Sequence, residues 1–141
     1  MKIMLDEGAR IPTRAHPWDA GLDLYAPEGT GVWAISPCGG SVTIDTLVHA
    51  QIPEGCVGFI KAKSGLNVKH GLTCTGVIDA HYTGSISVKL YNHHPSLRYD
   101  VRPGDKIAQL VILPCLLPEL ELVDHLEETD RGDGGFGSTG R

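Results

Sequence analysis

In "SVTIDTLVHAQI", Ser41 to Ile52, the even positions Val42, Ile44, Val48, Ala50 and Ile52 are apolar while most odd positions are polar. That is the period of a strand with one face in a core and the other in water; a helix would repeat its apolar positions every three to four residues. The alternation returns in "SISVKL" with Ile86, Val88 and Leu90. The run "IAQLVIL", interrupted only by Gln109, predicts a strand buried on both faces. Turns are expected at Pro27-Glu28-Gly29, Pro37-Cys38-Gly39-Gly40, Pro53-Glu54-Gly55 and Arg102-Pro103-Gly104-Asp105. Short strands between frequent turns predict an all-β sandwich or barrel. One short helix is expected over "SGLNVKHG", with Ser64 capping its first turn and Gly71 ending it. Its unpaired first amides make a possible anion site.

The length of 141 residues suits a single domain with its own core. A net charge of -5 argues against a sequence-independent grip on duplex nucleic acid, so any nucleotide partner is expected to be small. The four cysteines, Cys38, Cys56, Cys74 and Cys115, lie far apart with no metal or disulfide spacing and are expected to be reduced, mostly buried thiols. The histidines, His93-His94 included, have no partner at ligand spacing and read as surface or capping residues. No apolar run has the length of a membrane span or signal segment, so a soluble, cytoplasmic protein is expected. Composition changes after Leu126, where "EETDRGDGGFGSTGR" carries too little apolar surface to hold itself in one shape.

Five segments hold more glycine, hydroxyl and charge than strands or plain turns require: "AGLDLYA", "KSGLNVKHG", "GVIDAHYTG", "RPGDKIAQL" and "RGDGGFGSTG". Asp79, among apolar neighbours in "GVIDAHY", carries a desolvation cost unless it has a partner or a task; a turn aspartate is the plainer alternative. Tyr82 on its own passes for a strand aromatic, and the Ser64-Gly65 pair for a turn. Gln109 is either an edge side chain meeting water or a donor to a ligand.

Taken together, in this order and spacing, the five segments resemble the five motifs of the trimeric dUTP pyrophosphatases (dUTPases), from about Ala20 to the C-terminus. The resemblance implies a jelly-roll-like β-sandwich over residues 1–126 and a flexible glycine-rich lid over 127–141, in a homotrimer with shared active sites that hydrolyses dUTP to dUMP and pyrophosphate. It implies that Asp79 activates the attacking water and bonds the 3′-hydroxyl, and that Tyr82 packs on the deoxyribose and leaves no room for a 2′-hydroxyl. Lys63, Ser64, the Gly65 backbone and Gln109 would hold phosphates, with Asp23 as a supporting residue. The backbone of Thr75, Gly76, Val77 and Ile78 would read uracil. From the tail, Arg131 would reach the γ-phosphate, Phe136 would stack on uracil, and Gly137, Ser138 and Thr139 would donate to phosphate.

Magnesium is the implied cofactor, held by substrate phosphates and water rather than by protein ligands. Lys63 stands where the family usually has arginine, which removes a bidentate fork. His81 and Thr83 replace a frequent acid and a frequent arginine, and "LTCTGVI" is shorter than the usual hairpin. Two other readings are a dCTP deaminase, whose arginine-rich serine motif and glutamate base are missing from the sequence, and a nucleotide-gated interaction protein that signals dUTP.

Overall fold

A computed structural model of the chain describes residues 1–135. Ten strands and one helix follow in the order β1 (Lys2–Leu5), β2 (Gly21–Tyr25), β3 (Trp33–Ile35), β4 (Gly40–Gln51), β5 (Cys56–Lys61), α1 (Ser64–His70), β6 (Leu72–Thr73), β7 (Thr75–Ile78), β8 (Ser85–Asn92), β9 (Tyr99–Val101) and β10 (Lys106–Pro114). They form two four-stranded sheets, ordered β1-β4-β8-β6 and β2-β10-β5-β7, and a two-stranded sheet β3-β9. This is the expected all-β sandwich. The alternating apolar residues of β4 and β8, Ile44, Ala50, Ile86, Val88 and Leu90, meet Leu24, Ile60, Ile78 and Leu110 of the other sheet in one core. Each Ile, Val or Leu side chain so taken out of water contributes roughly 1.5–3 kcal/mol before chain entropy is subtracted.

Three local expectations need correction. β10 is buried only through its first half: Ile107, Ala108 and Leu110 are inside, but Val111 and Ile112 are half-buried and Leu113 is exposed. The apolar run outlasts the core it packs against. The helix cap is Lys63, with extended backbone and no side-chain hydrogen bond, and Ser64 is the first helical residue; Gly71 closes the helix in the left-handed conformation, as expected. Of the four cysteines, all free, only Cys74 is buried, and burial pushes its thiol up to about 11. Cys38 occupies a turn with φ of 58°, and Cys56 and Cys115 lie at strand ends, where cover is partial. β4 alternates as expected, with its even positions facing in, although its register against β8 jumps from Asp45↔Ser87 to His49↔Ser85. That bulge places Leu47 at φ 59°, a conformation a leucine rarely adopts.

Beyond Pro114 the described residues contain no further strand or helix. Leu116, Leu117, Leu120, Leu122 and Leu126 in that stretch are exposed, Leu122 fully. No helix among the described residues is long and apolar enough to cross a membrane.

Candidate active site

The register of the β2-β10-β5-β7 sheet sets the geometry. Asp23 on β2 is opposite Gln109 on β10, Gln109 opposite Lys61 on β5, and Lys61 opposite Thr75 on β7. One row of the sheet therefore carries Asp23, Gln109 and Thr75, with Lys63, Ser64 and Gly65 immediately beyond the end of β5. Asp79 lies past the other end of β7, since Ile78 is opposite Gly58. At the rise of an extended strand, four residues separate Thr75 from Asp79 by about 13 Å.

Asp23 is the most constrained group in that row. Its residue is only 4% exposed, and its carboxylate is ion-paired with the Lys63 ammonium at Oδ1 and with Lys106 Nζ 2.7 Å from Oδ2. Burial pushes the carboxyl up, but the hydrogen bonds from Lys106 and Lys63, with the charges of both ammonium groups, outweigh it and hold the carboxyl below the usual carboxylate range. The same contact with Asp23 raises Lys106. Lys106 also lies 5.9 Å from the centre of the Tyr25 ring, whose other cation is Arg10 at 4.6 Å. Lys106 was not singled out from the sequence, although it sits within "RPGDKIAQL"; what makes it part of the site is its pairing with a residue 83 positions earlier.

Gln109 is half-buried and donates from Nε2 to the Ala62 carbonyl at 3.2 Å. Its carboxamide lies over Gly21, where a Cβ would sit 2.1 Å from Gln109 Oε1. The glycine of "AGLDLYA" is thus explained by the glutamine it faces. Ser64 and Gly65 are exposed at the head of α1.

At the other end, Asp79 is exposed, so the desolvation suggested by its apolar neighbours is absent: Ile78 points into the core but Val77 does not. Asp79 lines an open groove of about 790 Å³ with Val57, Phe59, Val77, His81 and Leu113. Tyr82 is 45% exposed and folds back to donate its hydroxyl to the Ser85 carbonyl at 2.9 Å. The ring passes so close to Gly84 that a Cβ there would meet the hydroxyl at 2.4 Å. β7, which carries Thr75 to Ile78, is the edge strand of its sheet. Its outer backbone groups therefore face away from the ladder, where an extended ligand edge could pair with them.

Within one chain the predicted residues thus fall into two groups. Asp23, Lys63, Ser64, Gly65 and Gln109 assemble at one end of the sheet with Thr75, and Asp79 and Tyr82 lie at the other; the groove of Asp79 includes none of the first group. Arg131 is in neither, since its Nε donates to Gly134 O at 3.0 Å within its own turn. Phe136, Gly137, Ser138 and Thr139 lie outside the described residues. Among the described residues, no three His, Cys, Asp or Glu side chains converge as metal ligands, so the donor set does not form a protein cage for magnesium.

A sequence model of the dUTPase family matches residues 7–140. The deoxyuridine 5'-triphosphate nucleotidohydrolase of Nocardia farcinica is 43% identical over 139 residues, covering 96% of this chain and 82% of the relative. The dUTPase of Staphylococcus bacteriophage 80alpha, solved with dUPNHPP, has a TM-score of 0.88 at 33% identity, covering 99% of this chain and 98% of that one. A mutant dUTPase from phage phi11 of S. aureus, described with a coordinated structural Mg(II) ion, has a TM-score of 0.79 at 31% identity, covering 90% and 98%. With that model spanning nearly the whole chain and a relative 43% identical over 139 residues, this chain belongs to the dUTPase family.

Proposed function

We propose that the protein hydrolyses dUTP to dUMP and pyrophosphate at sites shared between the subunits of a homotrimer. The observation that carries this reading is the separation of the two residue groups along one sheet, about 13 Å of strand between the phosphate-side row and Asp79. A nucleotide held by Lys63, Ser64 and Gln109 of one copy meets an Asp79 when that residue comes from another. The apolar surface left open by one chain supports the same arrangement. Phe59, Val77 and Leu113 on the sheet and the leucines of 116–126 need cover, and further copies of the chain supply it.

The exposed Asp79 carboxylate accepts a proton from a water as the water oxygen bonds to the α-phosphorus. The bond from that phosphorus to the oxygen bridging to the β-phosphorus breaks in line, and pyrophosphate leaves with the electron pair. Lys63, Ser64, the Gly65 amide and Gln109 hold the phosphates. The free edge of β7, Thr75 to Ile78, pairs with the uracil, and Tyr82 lies against the deoxyribose, where a 2′-hydroxyl would collide. The tail closes the site, Arg131 on the γ-phosphate and Phe136 over the base, with Gly137, Ser138 and Thr139 donating to phosphate. Magnesium, when bound, would be held by substrate phosphates and water rather than by protein side chains, and would neutralise charge there. The reaction limits uracil in DNA and supplies dUMP, and its place is the cytoplasm.

The test is pyrophosphate release from dUTP, dCTP, dTTP and UTP by the wild type and Asp79→Asn. The wild type should prefer dUTP, and the variant should lose several orders of magnitude in kcat while binding dUTP with little change, because the amide keeps the shape but takes no proton. A variant that keeps more than about a tenth of the turnover would remove Asp79 as the base.

A further inference from the structure

The segment that carries Asp79 and Tyr82, residues 79–84, is gripped at its backbone by a side chain of β4, in the other sheet. His49 Nδ1 is 2.8 Å from the Thr83 carbonyl, and His49 Nε2 is 3.0 Å from Asp6 Oδ2. A carbonyl and a carboxylate both only accept, so both ring nitrogens are called on to donate, which the protonated ring does. The hydrogen bond to Asp6 and then the one to Thr83 accordingly raise His49 above the usual histidine value, with Asp45 adding to the effect.

Backbone strain puts His49 there. The bulge in β4 brings His49 opposite Ser85, and it contains the left-handed Leu47. It is pinned from three sides: Leu47 N donates to Asp45 Oδ1 at 2.9 Å, Asp6 N donates to Leu47 O at 3.0 Å, and Thr46 Oγ1 donates to Ile86 O at 2.7 Å. Asp45 also accepts from Ser85 Oγ at 2.8 Å, and the Ser85 carbonyl is the acceptor for the Tyr82 hydroxyl. The acceptor of the tyrosine and the carbonyl one residue after it are thus both held by the strained stretch of β4. A non-glycine residue in the left-handed region costs of order 1–3 kcal/mol and persists only where the surroundings enforce it, which is a reason to look for a function in what the bulge supports.

We propose that His49 is a positioning residue for the nucleotide site, holding the Thr83 carbonyl so that the Asp79–Gly84 segment presents Tyr82 at a fixed depth. This rests on the roles assigned above to Asp79 and Tyr82. It touches no substrate; it acts through the backbone of the segment that does.

The experiment compares wild type, His49→Ala, His49→Asn and His49→Gln, with Asp79→Asn as a control, for kcat and KM on dUTP and UTP, alongside melting temperature and oligomer mass. Asparagine places an amide nitrogen where Nδ1 lies and keeps the donor to Thr83, whereas glutamine places one where Nε2 lies and keeps only the Asp6 contact. The preference for dUTP over UTP, as the ratio of kcat/KM values, should fall roughly ten- to hundredfold in the alanine and glutamine variants, the usual scale for a small misplacement of a site group, and recover in the asparagine variant. If alanine proves unstable, the asparagine–glutamine pair alone carries the comparison. An unchanged ratio in the glutamine variant, with Asp79→Asn inactive, overturns the positioning role. Equal losses in all three variants that track melting temperature reduce His49 to a structural residue and overturn it as well. An active Asp79→Asn shows instead that the underlying assignment of the site has failed.

Discussion

Replacing Gly21 with alanine tests whether the Asp23–Gln109 end of the sheet, proposed to hold phosphate, is built as described. The new Cβ would sit 2.1 Å from Gln109 Oε1 and 3.0 Å from both Gln109 Cδ and Cβ, against about 3.4 Å for an ordinary contact. The carboxamide must withdraw by more than 1 Å, and rotating it cannot relieve the contact at Gln109 Cβ. The bond to Ala62 O is lost, about 0.5–1.5 kcal/mol, and the crowding adds about 1–3 kcal/mol. A stiffer unfolded chain returns about 0.4–1 kcal/mol. The net destabilisation should be about 1–3 kcal/mol, which for a chain of this size lowers the melting temperature by roughly 3–10 °C.

Function should suffer beyond stability. If Gln109 donates to the phosphates, displacing it removes a hydrogen bond to a charged group, about 1.5–3 kcal/mol or roughly ten- to hundredfold in affinity for dUTP. The assays are thermal unfolding and the dUTP Kd, each measured for Gly21→Ala in the wild-type background and again in Gln109→Ala. In the second background only the 3.0 Å contact with Cβ remains, so both penalties should shrink. Equal penalties in the two backgrounds would refute the reasoning, because the alanine would then be meeting something other than the glutamine.

Two further outcomes follow from the ion pairs and the tail. The folded-state pKa of Asp23 is lowered from 3.8, so its contribution to stability is present above that value and lost as pH falls through the folded value; in acid titrations Asp23→Asn should be less stable than wild type near neutral pH and show a flatter loss below about pH 4, and parallel curves would contradict this. Phe136→Ala should weaken dUTP binding by roughly 1–3 kcal/mol, the range for an aromatic stacked on a base, with oligomer mass unchanged; a loss of assembly would make the ring structural instead.

The β-sandwich was legible because half-burial writes itself into the chain at period two: Ile86, Val88 and Leu90 alternate inward, with Ser87 and Lys89 outward between them. The features that escaped are those in which sequence-distant groups decide the outcome. Leu47 reads as another strand residue; its left-handed conformation depends on Asp45 and Asp6 closing around a bulge. His49 had no partner at ligand spacing, because its partners are 43 and 34 positions away. Lys106 belongs with Asp23 only once β10 has paired with β2. Asp79 misled in the opposite direction, since apolar neighbours along a strand say nothing about the residue past its end, where the chain turns out of the sheet. Motif glycines, by contrast, carried more than turn information: Gly21 and Gly84 each leave room for a named side chain, Gln109 and Tyr82, to which the proposal gives a part in the site. The glycines best explained by the site are therefore those with ordinary φ, where only a neighbour's side chain accounts for the missing Cβ.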